Sequence, residues 1–193
     1  MHLSAGHCAR RRGIVFHPST RVAYVNCELG GTVVACSIDD STGLTPTQTI
    51  KVYPADFVGV SRPGIAADRL LCVTTVGACA GKDHPENFGK ASFWTAEALL
   101  GPDARFLYVI CRIHHSIAIV PVGADGALDE GGITRFELLP CANSRNMTRE
   151  GSFLLVASQD ADAVEVLQID AESGGLKRVD TQPVACAADC AVV

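Results

Sequence analysis

Residues 101–120 read GPDARFLYVICRIHHSIAIV. A turn signal leads into the apolar run Phe106–Cys111, a polar break follows, and a second apolar run opens at Ser116. Two short strands joined by a tight connection account for the pattern. Whether the pair is unique or recurs decides the architecture, because self-similarity at a fixed period is the signature of repeat folds.

It recurs. VAYVNCELGGTVVACSI (22–38), FLYVICRIHHSIAIVPV (106–122) and FLLVASQDADAVEVLQI (153–169) align over seventeen positions without a gap. Each opens on a four-residue apolar stretch and passes a small or thiol side chain (Cys27, Cys111, Ser158). A long polar one follows (Glu28, Arg112, Gln159), and a second strand comes after a short turn. A turn with Gly and Leu then precedes a further extended segment: DDSTGLT before TQTIKVY, ADGALD before ITRFELL, AESGGLK before RVDTQPV. Another short strand stands ahead of each copy, in GIVFHP, AEALLGPD and RNMTREG. Four strands per copy, with no amphipathic helix between them, predict the blades of a β-propeller. The expected fold is therefore all-β and incomplete. It has about three four-stranded antiparallel blades plus one terminal strand in ACAADCAVV, one domain over 1–193. No Trp-Asp pair closes any third strand, so a WD40 repeat is not indicated.

The copies are unevenly spaced. Val25 and Val109 stand 84 residues apart and Val109 and Val156 only 47, which places an insertion at about 59–81. Its middle, GVSRPGIAADRLLCVTTVGACAG, has neither strand alternation nor repeat character. It reads as a long loop over the central channel or as translated non-coding sequence.

Composition narrows the function. With 48% hydrophobic residues the chain can fill a core. A net charge of −5 and one Trp argue against nucleic acid as a partner. No apolar run approaches the length of a membrane span, and the first residues lack a secretory pattern, so a cytoplasmic location is expected. Nine irregularly spaced cysteines suggest buried reduced thiols, and Cys186-x₃-Cys190 without a companion pair makes no metal site.

The ordered series GIVFHPSTRVAYVNCELGGTV, TAEALLGPDARFLYVICR, SRNMTREGSFLLVASQDADAV and PVACAADC resembles the last three blades of the seven-bladed lactonase family, which includes 6-phosphogluconolactonase and carboxymuconate cyclase. The resemblance implies a hydrolase of sugar lactones or, alternatively, an isomerase that closes a carboxymuconate, in either case without metal or cofactor. Where the family has Gly-Pro-Arg-His before FHP, this chain has Arg10-Arg11-Arg12-Gly13, keeping the Arg and losing the His. Cys27 and Cys111 replace the family's usual Asn.

Blade-equivalent positions offer Arg12, Glu97 and Arg145 at the first strand, and Glu28, Arg112 and Gln159 after the second. Guanidinium groups bind phosphate or carboxylate in bidentate fashion, and a neighbouring carboxylate can move a proton or activate water. Arg12 and Arg112 are the expected anion clamps and Glu28 the acid/base, with Arg145, Glu97 and Gln159 as further substrate contacts. A small anionic lactone or carboxylate is the expected substrate. Repeated charges also serve as blade-to-blade partners, and a non-catalytic propeller fragment or binding module is the competing reading. Since three blades do not close a ring, either the chain self-associates to complete one or it is a piece of a longer protein.

Overall fold

The computed structural model describes residues 11–57, 93–139, 143–144 and 146–184. Three four-stranded antiparallel sheets account for nearly all of them. The first holds β1 (Arg11–Phe16), β2 (Val22–Cys27), β3 (Thr32–Asp39) and β4 (Gly43–Lys51). The second holds β5 (Thr95–Leu100), β6 (Phe106–Cys111), β7 (Ser116–Pro121) and β8 (Thr134–Glu137). The third holds β9 (Asn146–Glu150), β10 (Phe153–Ser158), β11 (Ala163–Ile169) and β12 (Leu176–Pro183). In each sheet the strands lie in chain order, and β1 runs beside β5 as β5 does beside β9. These are successive propeller blades with their first strands innermost. Every strand expected within the three copies forms. The insertion at about 59–81 and the terminal ACAADCAVV segment fall outside the described residues.

The sheets pack face to face, and β6 shows why its sequence is apolar throughout. Side chains alternate between faces along a strand. Leu107, Val109 and Cys111 therefore join Ala118 and Val120 against Tyr24, Val33, Ala35 and Ile50 of the first sheet. The intervening Tyr108 and Ile110 join Ile117 and Ile119 against Met147, Leu154, Val156 and Leu167 of the third. A middle blade is buried on both sides, so the polar alternation of a half-exposed strand disappears.

Polar groups stitch the same interfaces. Tyr24 of β2 donates its phenol to Gly126 O at 2.8 Å, and Tyr108 of β6 donates to Gly174 O at 2.9 Å. Both glycines have positive φ, +86° and +70°, in the turn between the third and fourth strands of the following sheet. One bond thus repeats one blade further along. Asp39 and Asp170 close such turns by accepting from the residues after them, Asp39 from Ser41 and Thr42, Asp170 from Glu172 and Ser173. The Ser41 hydroxyl and neighbouring N–H groups hold the Asp39 carboxyl well below its usual range. Of the described cysteines, Cys36 and Cys111 are buried and outside any disulfide. Cys27 is disulfide-bonded, which departs from the expectation that the thiols are reduced.

Two measurements check this packing. A Cβ at Gly174 would stand 2.5 Å from the Phe106 ring, whereas at Gly151, also at positive φ, it meets nothing within 4 Å. Gly151→Ala is expected to cost about 1 kcal/mol of backbone strain, and Gly174→Ala about 2–4 kcal/mol, read from urea midpoints. Burial raises the Tyr24 phenol to about 12 and raises those of Tyr53 and Tyr108 as well. The folded state therefore holds these protons more tightly than the unfolded chain. Stability from this source is complete below pH ~10 and falls as pH rises past it, which alkaline thermal melts will record.

Candidate active site at the blade rim

The ends of β2, β6 and β10 and the starts of β1, β5 and β9 share one rim of the stack. Two of these inner strands begin with the same irregularity. In the first sheet Arg11 pairs with Cys27 and Gly13 with Asn26, so that Arg12 bulges out. In the second, Thr95 pairs with Cys111 and Ala98 with Val109, so that one of the two intervening residues is extra. Ile14 pairs with Val25 as Ala98 pairs with Val109. By register, then, Glu97 is the counterpart of Gly13, and Ala96 that of Arg12. The sequence alignment had set Glu97 level with Arg12; the register moves it on by one position.

Glu97 and Gly13 also meet in space. A Cβ built on Gly13 would lie 3.6 Å from Glu97 Oε1, an ordinary van der Waals separation. The Glu97 carboxylate is half-buried on the innermost strand of its sheet and has no hydrogen bond or ion pair among the described residues. It lies against the place where the family pattern carries a His.

Glu28 and Arg112 behave differently. Both are buried, about 5–6% exposed. Arg112 Nη1 lies 3.8 Å from Glu28 Oε1, an ion pair across the first and second sheets. The rest of the guanidinium is engaged too: Nε and Nη2 donate to Asn143 Oδ1 at 3.1 and 2.7 Å, and the group sits over the Trp94 ring at 5.5 Å. The main chain ties the same residues together, since Thr95 N donates to Glu28 O and Arg112 N to Trp94 O. Beneath them Asn26 is buried, accepting from Thr95 Oγ1 at 2.7 Å and donating to Ala96 O.

Gln159 is half-buried in the 3-10 turn Gln159–Ala161 that follows β10. Arg145 and the side chain of Arg12 lie outside the described residues. The adjacent histidines His114 and His115 have different neighbours. His114 Nδ1 bonds Ser116 Oγ at 2.8 Å and its ring packs on Phe57 and Tyr53. His115, at φ +48°, has Asp160 as its charged neighbour. Burial lowers the pKa of both imidazoles. Among the described residues no three His, Cys, Asp or Glu side chains converge as a metal site would require. The Cys111 thiol is no nucleophile at neutral pH, because burial pushes it up to about 12.

Sequence reasoning did not pick out Asn143 or Trp94. Asn143 lies 31 residues from Arg112 and adopts a left-handed φ of +43°, and no spacing rule links the two. Trp94 could have been noticed as the only tryptophan, placed immediately before an inner strand.

The family model for the seven-bladed β-propeller lactonases matches residues 3–193. The chain belongs to this family. It is 28% identical over 176 residues to the 6-phosphogluconolactonase of Pectobacterium carotovorum subsp. carotovorum (strain PC1), covering 90% of this chain and 41% of that protein. For the 6-phosphogluconolactonase of Serratia proteamaculans (strain 568) the identity is 27% over 175 residues, with 90% and 43% covered. Among solved structures, the periplasmic gluconolactonase of Pseudomonas aeruginosa superposes with a TM-score of 0.68 at 23% identity, over 92% of this chain and 41% of that one. A Lactobacillus plantarum protein gives 0.65 at 22% identity, over 91% and 42%. These two likenesses bear on the fold. The chain spans about two fifths of the length of the curated relatives it matches.

The buried ion pair of this lactonase-family rim is directly testable. Removing either takes an ionic partner from a buried charge, so Glu28→Ala or Arg112→Ala is expected to cost about 3–5 kcal/mol in urea unfolding. The double variant is expected to cost clearly less than the sum of the two, since neither charge is then left alone.

Proposed function

We propose that the rim formed by these three blades belongs to a lactonase site, in which a sugar lactone with an anionic group is opened by water. The observation that carries this reading is Glu97, a carboxylate without a partner among the described residues, on the innermost strand and beside the open position of Gly13. A free carboxylate in that place can take a proton from the attacking water and return it to the leaving ring oxygen. Such assistance typically contributes 10²–10⁴-fold. Glu28, the acid/base expected from sequence, already faces Arg112, so the proton-moving role passes to Glu97 and the Glu28–Arg112 pair becomes the fixed wall of the rim. Arg12 and Arg145, at the starts of β1 and β9 by sequence, are the groups for the substrate's anion, with Gln159 as a neutral contact.

Two relatives named 6-phosphogluconolactonase set lactone opening ahead of muconate cyclisation, which would use the same charges to hold carboxylates. As to compartment, no helix among the described residues is long and apolar enough to cross a membrane. The cytoplasmic expectation has to meet the disulfide on Cys27. A disulfide is more at home in an oxidising compartment.

The test is hydrolysis of 6-phosphogluconolactone, followed by acid release. It is run on the chain alone and on the chain co-expressed with the preceding blades of the Pectobacterium relative. Activity that Glu97→Gln lowers by about 10²-fold or more, while the urea midpoint holds, is the expected result. An active preparation indifferent to Glu97→Gln would return the acid/base role to Glu28. No activity in either preparation would favour the non-catalytic binding module.

A further inference from the structure

Glu165 is the one carboxylate among the described residues that is completely buried, in the middle of β11. It does not reach the rim, yet a continuous line of polar contacts runs from it to Arg112. Arg178 on β12 anchors one end, with Nε at 2.8 Å and Nη2 at 2.7 Å from Glu165 Oε2. The same Nη2 donates to Glu137 O of the second sheet, and the guanidinium covers the Phe136 ring at 5.3 Å. The other carboxylate oxygen, Oε1, accepts from Leu139 N at 3.2 Å and from Ser158 Oγ at 2.9 Å. Ser158 Oγ in turn lies 3.0 Å from Ser144 Oγ. All three side chains are essentially sealed from water, with Ser144 at 1% and Ser158 and Glu165 at 0% exposure.

The direction of this chain follows from proton counting. A serine hydroxyl has a single proton. Ser158 donates its proton to Glu165, so Ser144 must donate to Ser158. A serial arrangement ending on a carboxylate polarises each bond in turn. Ser144 is held by it, and Ser144 is bonded directly to Asn143, whose left-handed φ of +43° turns its amide towards the rim. Asn143 Oδ1 receives both Nε and Nη2 of Arg112, which faces Glu28 through its remaining nitrogen. Residues 143–144 lie in the connection between β8 and β9, so one dipeptide couples the interior of the third sheet to the interface of the first two.

We propose that Glu165 is a positioning residue for Arg112, acting through Ser158, Ser144 and the backbone of Asn143. The network fixes the guanidinium over Trp94 and against Glu28, and so sets the shape of the rim from the interior of the neighbouring blade. The proposal concerns geometry at the rim and stands whether or not the chain turns over a lactone.

Trp94 is the only tryptophan in the chain and lies under the Arg112 guanidinium, so its fluorescence reports the position of that group. The full-length chain would be compared with Ser144→Ala, Ser144→Thr, Glu165→Gln and Arg112→Lys, with Tyr108→Phe as a packing control at another blade contact. Emission maximum and acrylamide quenching of Trp94 would be read in buffer, and urea midpoints in parallel. Ser144→Ala and Glu165→Gln are expected to shift Trp94 emission and raise quenching in the same direction as Arg112→Lys. Ser144→Thr, which keeps a donating hydroxyl, is expected to restore the original signal, and Tyr108→Phe to lower the midpoint without moving the emission. Should Ser144→Ala fail to fold, Glu165→Gln, which preserves shape and one acceptor, carries the same comparison. Variants that lose stability while Trp94 keeps its native emission and quenching would overturn the proposal and leave Glu165 a blade-to-blade tie.

Discussion

A four-stranded sheet with apolar side chains on both faces has to be covered on both faces, and that constraint governs this molecule. In β6, six consecutive residues face alternately towards the first and third sheets, and only Phe106 at its start keeps partial exposure. Removing apolar surface from water stabilises by about 25 cal/mol per Å², which makes the fully buried side chains of β6 and β7 the main source of cohesion. The stacking direction follows at once. Once blades are stacked with their first strands innermost, the ends of the second strands and the starts of the first share a rim, where the repeat places its long polar residues.

Apolar packing does not by itself fix how far one blade turns against the next. Hydrogen bonds across the interfaces do that, and they recur. The Tyr24–Gly126 and Tyr108–Gly174 bonds are the same bond one blade apart. Each needs a glycine at positive φ in the accepting turn, and the Phe106 ring against Gly174 leaves no room for a Cβ. At the opposite end of the strands the two interfaces diverge. The first and second sheets are joined by the Asn26–Thr95 bond and the Glu28–Arg112 ion pair, the second and third through Glu165 and Arg178. A repeat thus keeps its packing while its polar seams change, and seams that differ between blades are where a site can arise without disturbing the ring.

Strand order, blade count and even the turns were legible in the sequence because they rest on local patterns: two-residue alternation, Asp- and Gly-containing turns, and a period the chain repeats. The rim was legible only in part. Repetition located Glu28 and Arg112 correctly at the strand ends, yet it could not tell that they face one another, since that depends on how two sheets are rotated. It set Glu97 one place off: the offset of 84 residues that relates Val25 to Val109 relates Gly13, not Arg12, to Glu97, and the register agrees. Glu165 did leave a mark. It interrupts the apolar positions of AVEVLQI, where an unpaired charge would be prohibitively costly, and such a residue announces a buried partner before the partner is known.

The third sheet shows how the stack is built to continue. The register places Leu155 where the earlier sheets carry Tyr24 and Tyr108, because Val156, Val109 and Val25 are equivalent. Leu155 pairs with Val166, and Phe153, Ala157 and Val164 share its face. Phe153 is more than one third exposed there. This face keeps the apolar character of an inter-blade surface but has no phenol to offer a following turn. Whatever packs on it does so without the Tyr–Gly bond that orients the other two interfaces. At the rim, charged and polar contacts gather between the first and second blades. There, the Glu28–Arg112 pair, the Asn26–Thr95 seam and Glu97 lie within a few residues of one another along the same strands.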